Sequence, residues 1–192
     1  MDNSLEVLRG AVDEITNGLQ ALLRHEPEIT RAAALIADSL SGGHKLLACG
    51  NGGSAADAAD FTTEFACRFV QDRRPYPAIN LSDGGSLITA TANDYGFDEV
   101  FARQVRAFGG SGDVLVAIST SGKSLNIARA LEQAKSIGAR TIALLGRDGG
   151  ACLGIADVEI IAPGTATARI QELHKFVLHV FCEIVEKRLP AL

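Results

Sequence analysis

From Lys45 onward the chain alternates short apolar runs with helical stretches, and the first four runs each end in a loop rich in glycine, serine or asparagine. The apolar runs are Lys45–Cys49, Ala78–Leu81, Val114–Ile118, Thr141–Leu145 and Val158–Ile161. Helical stretches fall near Ala55–Phe69, Ser86–Thr91, Glu99–Ala107 and Leu125–Ile137. Strands separated by helices pair in parallel, and the crossover helices cover both faces of the sheet. The pattern predicts an α/β three-layer sandwich around a central five-stranded parallel sheet.

The two ends of the chain read differently. Leu5, Leu8, Val12, Ile15, Leu19 and Leu22 are spaced 3-4-3-4-3, which is a heptad seam. Pro27 interrupts it, and a second helix is expected over Glu28 to Leu40. The last helix, from about Ala166 to Lys187, carries Ile170, Leu173, Val177, Val180 and Ile184 at the same spacing. Long helices at both termini fit a helical core between subunits, and packing on the helix's own domain is the competing reading of the first seam. The 192 residues suit one domain, with helices over 1–40 and the sheet with its flanking helices over 41–192.

Composition excludes several classes. The net charge is −5 and no Lys/Arg run occurs, which argues against a broad nucleic-acid surface but leaves room for a local anion site. No apolar run approaches the roughly 18 residues of a membrane span, and the acidic start Met1-Asp2-Asn3-Ser4-Leu5-Glu6 is unlike a secretory leader. Cys49, Cys67, Cys152 and Cys182 show no C-x-x-C spacing and read as reduced thiols of a cytoplasmic protein.

In open parallel sheets, ligands bind where strand ends lead into helix N-termini. Here those loops are Gly50-Asn51-Gly52-Gly53-Ser54, Ser82-Asp83-Gly84-Gly85-Ser86, Ser119-Thr120-Ser121-Gly122-Lys123-Ser124 and Gly146-Arg147-Asp148-Gly149-Gly150. Glycines let backbone N–H groups approach an anion, and hydroxyls donate to phosphate oxygens. Gly50-x-Gly52-x-x-Ala55 fits a loose dinucleotide fingerprint, but the acidic residue that should follow, Asp83, comes late. The run Ala117 to Ser124 imitates a P-loop with Ala117 in place of its first glycine, and its many hydroxyls suit a phosphate monoester better than a triphosphate. Helix capping is the plainer explanation of Ser54, with Asp57 three residues on, and of Ser124. Capping does not account for Ser119, Thr120, Ser121 and Ser124 together.

GNGGSAADA (Gly50–Ala58) with AISTSGKS (Ala117–Ser124) resembles the sugar isomerase (SIS) family. TANDYGF (Thr91–Phe97), VFARQV (Val100–Val105) and RIQELH (Arg169–His174) followed by His179 narrow the resemblance to its phosphoheptose isomerases, nearly end to end. The resemblance implies interconversion of sedoheptulose 7-phosphate and D-glycero-D-manno-heptose 7-phosphate, the first step of nucleotide-activated heptose biosynthesis, for lipopolysaccharide or another conjugate. It also implies a homotetramer with active sites at subunit interfaces, and zinc in many members. Carried over by position, substrate contacts fall on Asn51, Gly52, Gly53, Ser54, Glu64, Asn93, Asp94, Ser119, Thr120, Ser121, Ser124 and Gln171, and the catalytic pair on Glu64 and His179. The zinc ligands fall on Asp60, Glu64, Gln171 and His179. The family has His where this chain has Asp60, and a carboxylate can also ligate zinc.

Aldose–ketose isomerisation moves a proton between adjacent carbons, so it needs a base near carbon and an acid near oxygen. Asp60 and Glu64 are four apart on one helix and share a face, with Asp57 beside them. Like charges at that spacing cost roughly a few tenths of a kcal/mol when exposed and more when buried. A metal, a histidine or solvent should offset that cost. Gln171 and His179 are eight apart, about 80° around the helix, and can converge on one ligand; His174 lies about 60° to the other side. Geometry alone leaves both histidines open, and the resemblance selects His179. Arg68, one turn past Glu64, is a further candidate contact to substrate or a neighbouring subunit. Two other readings share these loops: a non-catalytic SIS module, such as the initiator-associating protein that binds DnaA, and an isomerase of another phosphosugar.

Overall fold

A computed structural model of the chain describes residues 4–189. Five strands, β1 (Leu46–Gly50), β2 (Ala78–Asn80), β3 (Val114–Ser119), β4 (Arg140–Gly146) and β5 (Val158–Ala162), form one parallel sheet in the order β2-β1-β3-β4-β5. Every strand lies within one residue of the range its sequence predicts. The chain runs outward from β1 to β2, then crosses back to add β3 on the other side of β1. The sheet order therefore reverses between β1 and β3, and the loops beyond these two strands diverge to leave a crevice.

Alternation along the strands fills two cores. Leu46, Ala48, Val116, Ile118, Leu144 and Ile160 face one layer, where they meet α2 (Glu26–Ser41), α3 (Gly53–Ala66) and α7 (Thr167–Glu186). Leu47, Cys49, Leu115, Ala117 and Leu145 face the other, against α5 (Ala102–Phe108) and α6 (Leu125–Ser136), with α4 (Ser86–Tyr95) contributing Ile88 and Ala92 at its edge. In the first core Phe61 stands edge-on to Phe65 with centroids 5.2 Å apart, and Phe181 of α7 lies 6.3 Å from Phe61. Truncating such a buried ring to alanine costs about 3–5 kcal/mol. This packing is what clamps α3 onto α7.

The seam of the first helix, α1 (Ser4–Leu22), is divided. Leu22 is buried and Ile15 and Leu19 pack on the first core, while Leu5, Leu8 and Val12 are 62%, 60% and 51% exposed. Along α7, by contrast, Ile170, Leu173 and Val177 are buried in the chain's own core. A single 3₁₀ turn (Leu23–His25) joins α1 to α2, and Pro27 sits in the first turn of α2, where its missing N–H costs nothing.

Three helix boundaries depart from the sequence expectation by three residues or more, one of them the start of α5, which begins at Ala102 rather than Glu99 because Phe97–Glu99 forms a separate 3₁₀ turn. α3 starts at Gly53 and stops at Ala66, short of Phe69, because a guanidinium from beyond the helix takes its last carbonyls. Arg73 Nη2 donates to Glu64 O at 2.5 Å and Nη1 to Phe65 O at 3.1 Å, and the Tyr76 N–H also bonds Phe65 O. α4 runs on to Tyr95 instead of ending at Thr91, and Gly96 at φ 91° closes it. All four cysteines are free thiols, three of them buried. Among the described residues no helix is long and apolar enough to cross a membrane.

Candidate active site

The crevice between β1 and β3 is lined by the two loops expected to bind phosphate. In the loop after β3, Ser119 Oγ accepts the Gly122 N–H at 3.1 Å and lies 3.2 Å from Ser124 Oγ. Ser124 occupies the N-cap position of α6, yet its hydroxyl makes no cap bond. Ser54 likewise makes no cap bond: α3 begins at Gly53 with Gly52 as its cap residue. The capping explanation therefore fails at both serines. Gly122 adopts φ +66°, and a Cβ there would lie 2.2 Å from the Gly149 carbonyl oxygen. The Cys152 N–H bonds Gly122 O, so the loops after β3 and β4 are joined through backbone.

The loop after β1 is fixed from both sides. Ser82 Oγ accepts the Gly50 N–H and donates to Gly50 O, each at 3.0 Å. Asn51 and Asn126 exchange reciprocal amide hydrogen bonds at 3.0 Å, which ties this loop to the first turn of α6. The N-termini of α3 and α6 thus open on one crevice, an arrangement that favours an anion. Gly53 gives room for a side chain from α7: a Cβ there would lie 2.3 Å from Gln171 Oε1. Sequence reasoning missed Ser82 and Asn126 as positioning groups; each is a single polar residue whose partner is more than 30 positions away.

Beyond the loops, α3 and α7 present the candidate chemistry. Glu64 is half-buried, and its charge reaches the buried Cys182, where burial first and Glu64 second push the thiol up. Cys182 lies one turn past His179 on α7. His179 is exposed, with its ring 6.1 Å from that of Phe69. The two histidines left open by spacing separate here. His174 is fully buried, its Nε2 is 2.9 Å from Leu145 O, and burial lowers its pKa to about 4. His174 is a neutral tie between α7 and β4, and His179 is the one of the two whose ring faces solvent.

Lys175 was not expected. It lies four residues after Gln171 and four before His179, so the three form one stripe of α7. Its ammonium pairs with Asp60 Oδ2 and lies 3.3 Å from Asp57 Oδ1. Burial works to lower Lys175, but Asp60 and Asp57 outweigh it and hold the group above the ordinary lysine value. Burial raises Asp57 against the opposing pull of Lys175. The offset that crowded carboxylates on α3 require is thus a lysine from α7. This bears directly on a metal at Asp60, Glu64, Gln171 and His179: the Asp60 carboxylate is engaged by a cation already in the chain. Among the described residues no three His, Cys, Asp or Glu side chains converge to hold a metal ion. The donor set as folded does not fit zinc.

Asn93 and Asp94 stand exposed at the end of α4, where Asn93 Nδ2 donates to Asp94 Oδ1 at 2.8 Å. Among the described residues neither hydrogen-bonds to the strand-end loops. Arg68 is exposed and donates to Val70 O at 3.3 Å. A cleft of about 390 Å³ opens between α1 and the segment after β5, lined by Glu14, Asn17, Thr165 and Arg169 among others; none of the candidate catalytic or loop residues lines it.

The chain is similar to known proteins in sequence and fold. A family model described as "SIS domain" matches residues 12–146. The phosphoheptose isomerase of Geobacter sulfurreducens is 50% identical over 186 residues, covering 93% of this chain and 98% of that protein. The structure of phosphoheptose isomerase from Neisseria gonorrhoeae superposes with a TM-score of 0.89 at 40% identity, over 95% of this chain and 98% of that one. That of a phosphoheptose isomerase from Francisella tularensis gives 0.92 at 36% identity, over 97% and 100%. With its crevice at the sheet reversal, its hydroxyl loops and these relatives, the chain belongs to the SIS domain family, among the phosphoheptose isomerases.

Proposed function

We propose that the chain interconverts sedoheptulose 7-phosphate and D-glycero-D-manno-heptose 7-phosphate through an enediol. The observation that carries this reading is a hydroxyl-lined, glycine-rich crevice into which α3 opens and against which α7 seats Gln171, the same two clamped helices that carry Glu64 and His179. The phosphate is held by Ser119, Thr120, Ser121 and Ser124 with the first-turn N–H groups of α3 and α6. Asn51, Gly52, Gly53 and Ser54 close over it, and Gln171, seated against Gly53, orients the sugar chain. Glu64 takes the proton from C1 of the ketose and returns it to C2, while His179 supplies and recovers the proton on the carbonyl and hydroxyl oxygens. No σ bond to carbon other than C–H breaks: the C2=O double bond becomes C2–OH as C1–OH becomes C1=O, and the step is redox-neutral overall. Relatives acting as isomerases favour this over a non-catalytic SIS module.

The working unit in this reading is a homotetramer with interfacial sites. Two features support it. Leu5, Leu8 and Val12 leave an apolar stripe on α1, and Asn93 and Asp94 stand apart from the loops, where a neighbouring copy can use them. Incubating the purified protein with sedoheptulose 7-phosphate and following aldose formation tests the reading. Conversion by wild type that is lost in Glu64→Gln is the expected result. No conversion by wild type, with added zinc or with chelator, refutes the substrate, and full activity in Glu64→Gln refutes the mechanism.

A further inference from the structure

We propose that the Lys175 ammonium takes the place a divalent ion would occupy between α3 and α7, so that this chain isomerises its phosphosugar without a metal; the claim rests on the isomerase reading above. Position is the first argument. Gln171 and His179 are the two donors that α7 would offer a metal, and Lys175 lies midway between them on the same stripe. From there it reaches across to Asp60, a donor that α3 would offer. The ammonium therefore engages one of the four donors directly and rises from the stripe of α7 that carries two more.

Charge is the second argument. Asp57 and Asp60 lie within one turn of α3, and Asp57 is buried, so the pair needs a cation. Lys175 supplies it from within the fold, 3.3 Å from Asp57 Oδ1 and paired with Asp60. A divalent ion drawn to the same oxygens would meet a fixed positive charge beside them. Asp60 and Lys175 make sense as a matched pair. A lysine facing a neutral histidine at position 60 would lack an acidic partner there, and Asp60 without the lysine would leave three carboxylates, with Glu64, unbalanced on α3.

The test compares zinc content and turnover in wild type, Lys175→Met, and Asp60→His combined with Lys175→Met. Each is purified from zinc-supplemented medium and dialysed. Wild type is expected to retain far less than one zinc per chain and to convert substrate at the same rate with or without chelator. The double variant, which restores the family's histidine and removes the competing ammonium, is expected to gain about tenfold or more in zinc affinity. Its melting temperature should rise on adding zinc, and chelator should lower it again. Lys175→Met alone should also gain zinc affinity, which keeps the claim testable if the double variant does not fold. Stoichiometric zinc in wild type, or wild-type turnover abolished by chelator and restored by zinc, overturns the proposal. So does a folded variant lacking Lys175 that binds zinc no better than wild type. Absence of wild-type turnover in every condition counts against the isomerase reading, while the zinc contents still decide the role of Lys175.

Discussion

At the strand ends the candidate site is shaped by backbone. Gly122 lies against Gly149 with no room for a Cβ, Ser82 brackets Gly50, and an Asn51–Asn126 amide pair joins two helix starts. Across α3 and α7 the shape comes instead from charged side chains, with Lys175 reaching to Asp57 and Asp60 and Arg73 holding the end of α3. The first region recognises a phosphate through donors that many phosphosugars could use. The second sets which chemistry follows, and it can change by one or two side chains while the sheet stays as it is. Specificity for phosphate and choice of chemistry are thus separable in this fold.

That separation predicts a division of kinetic effects. Glu64→Gln removes the base and should lower kcat about 10³-fold, within the usual range for general-base catalysis, with KM nearly unchanged. A comparable rise in KM with kcat intact would show that Glu64 binds rather than reacts. Steady-state rates on the heptose phosphate decide between them.

His174 links the two regions, since it fastens α7 to the end of β4 beside the loop that Gly122 touches. Its ring titrates at 6.5 when unfolded and at about 4 when folded, so the unfolded chain binds the extra proton between these values. Stability therefore falls as pH drops from 6.5 towards 4, by up to about 3 kcal/mol. Denaturant titrations at pH 7.5 and 5 should show the loss, and His174→Gln, which keeps a donor for Leu145 O, should flatten it. An unchanged slope in that variant would assign acid sensitivity elsewhere.

How far the sequence reveals this molecule depends on whether a signal is local. The strands are legible because β1 and β3 are wholly buried and read as unbroken apolar runs between loops. The loop residues are legible because glycine and hydroxyls cluster within six positions. Lys175 is not, because its partner Asp60 lies 115 residues away, although the Gln171-Lys175-His179 spacing already carried the hint. The early end of α3 was hidden for the same reason: Phe61, Phe65 and Phe69 continue a helical period, and only Arg73 returning from the following loop stops it. The choice between His174 and His179 needed burial, which spacing does not encode.

Smaller effects sharpen the contrast. Ser119→Ala removes one phosphate donor and the acceptor of the Gly122 N–H, and should raise KM about tenfold while changing kcat little. Inorganic phosphate, as a competitive inhibitor, should weaken in parallel; a fall in kcat alone would tie the loop to the chemistry. Leu8→Glu on the exposed stripe of α1 should leave the melting of a single chain nearly unchanged, since Leu8 is 60% exposed, but should shift sedimentation towards smaller species. Identical sedimentation of the variant and wild type would remove α1 from the assembly.

The central claim is that a proton leaves carbon and returns to it at the α3–α7 face. Running the reaction in deuterium oxide and reading the product by proton NMR tests it directly. The account predicts that the heptose 7-phosphate carries solvent deuterium at C2, because Glu64 is half-buried and exchanges its proton with water. Full retention of the substrate's own hydrogen at C2, at every stage of conversion, would indicate direct hydride transfer between the carbons and contradict it.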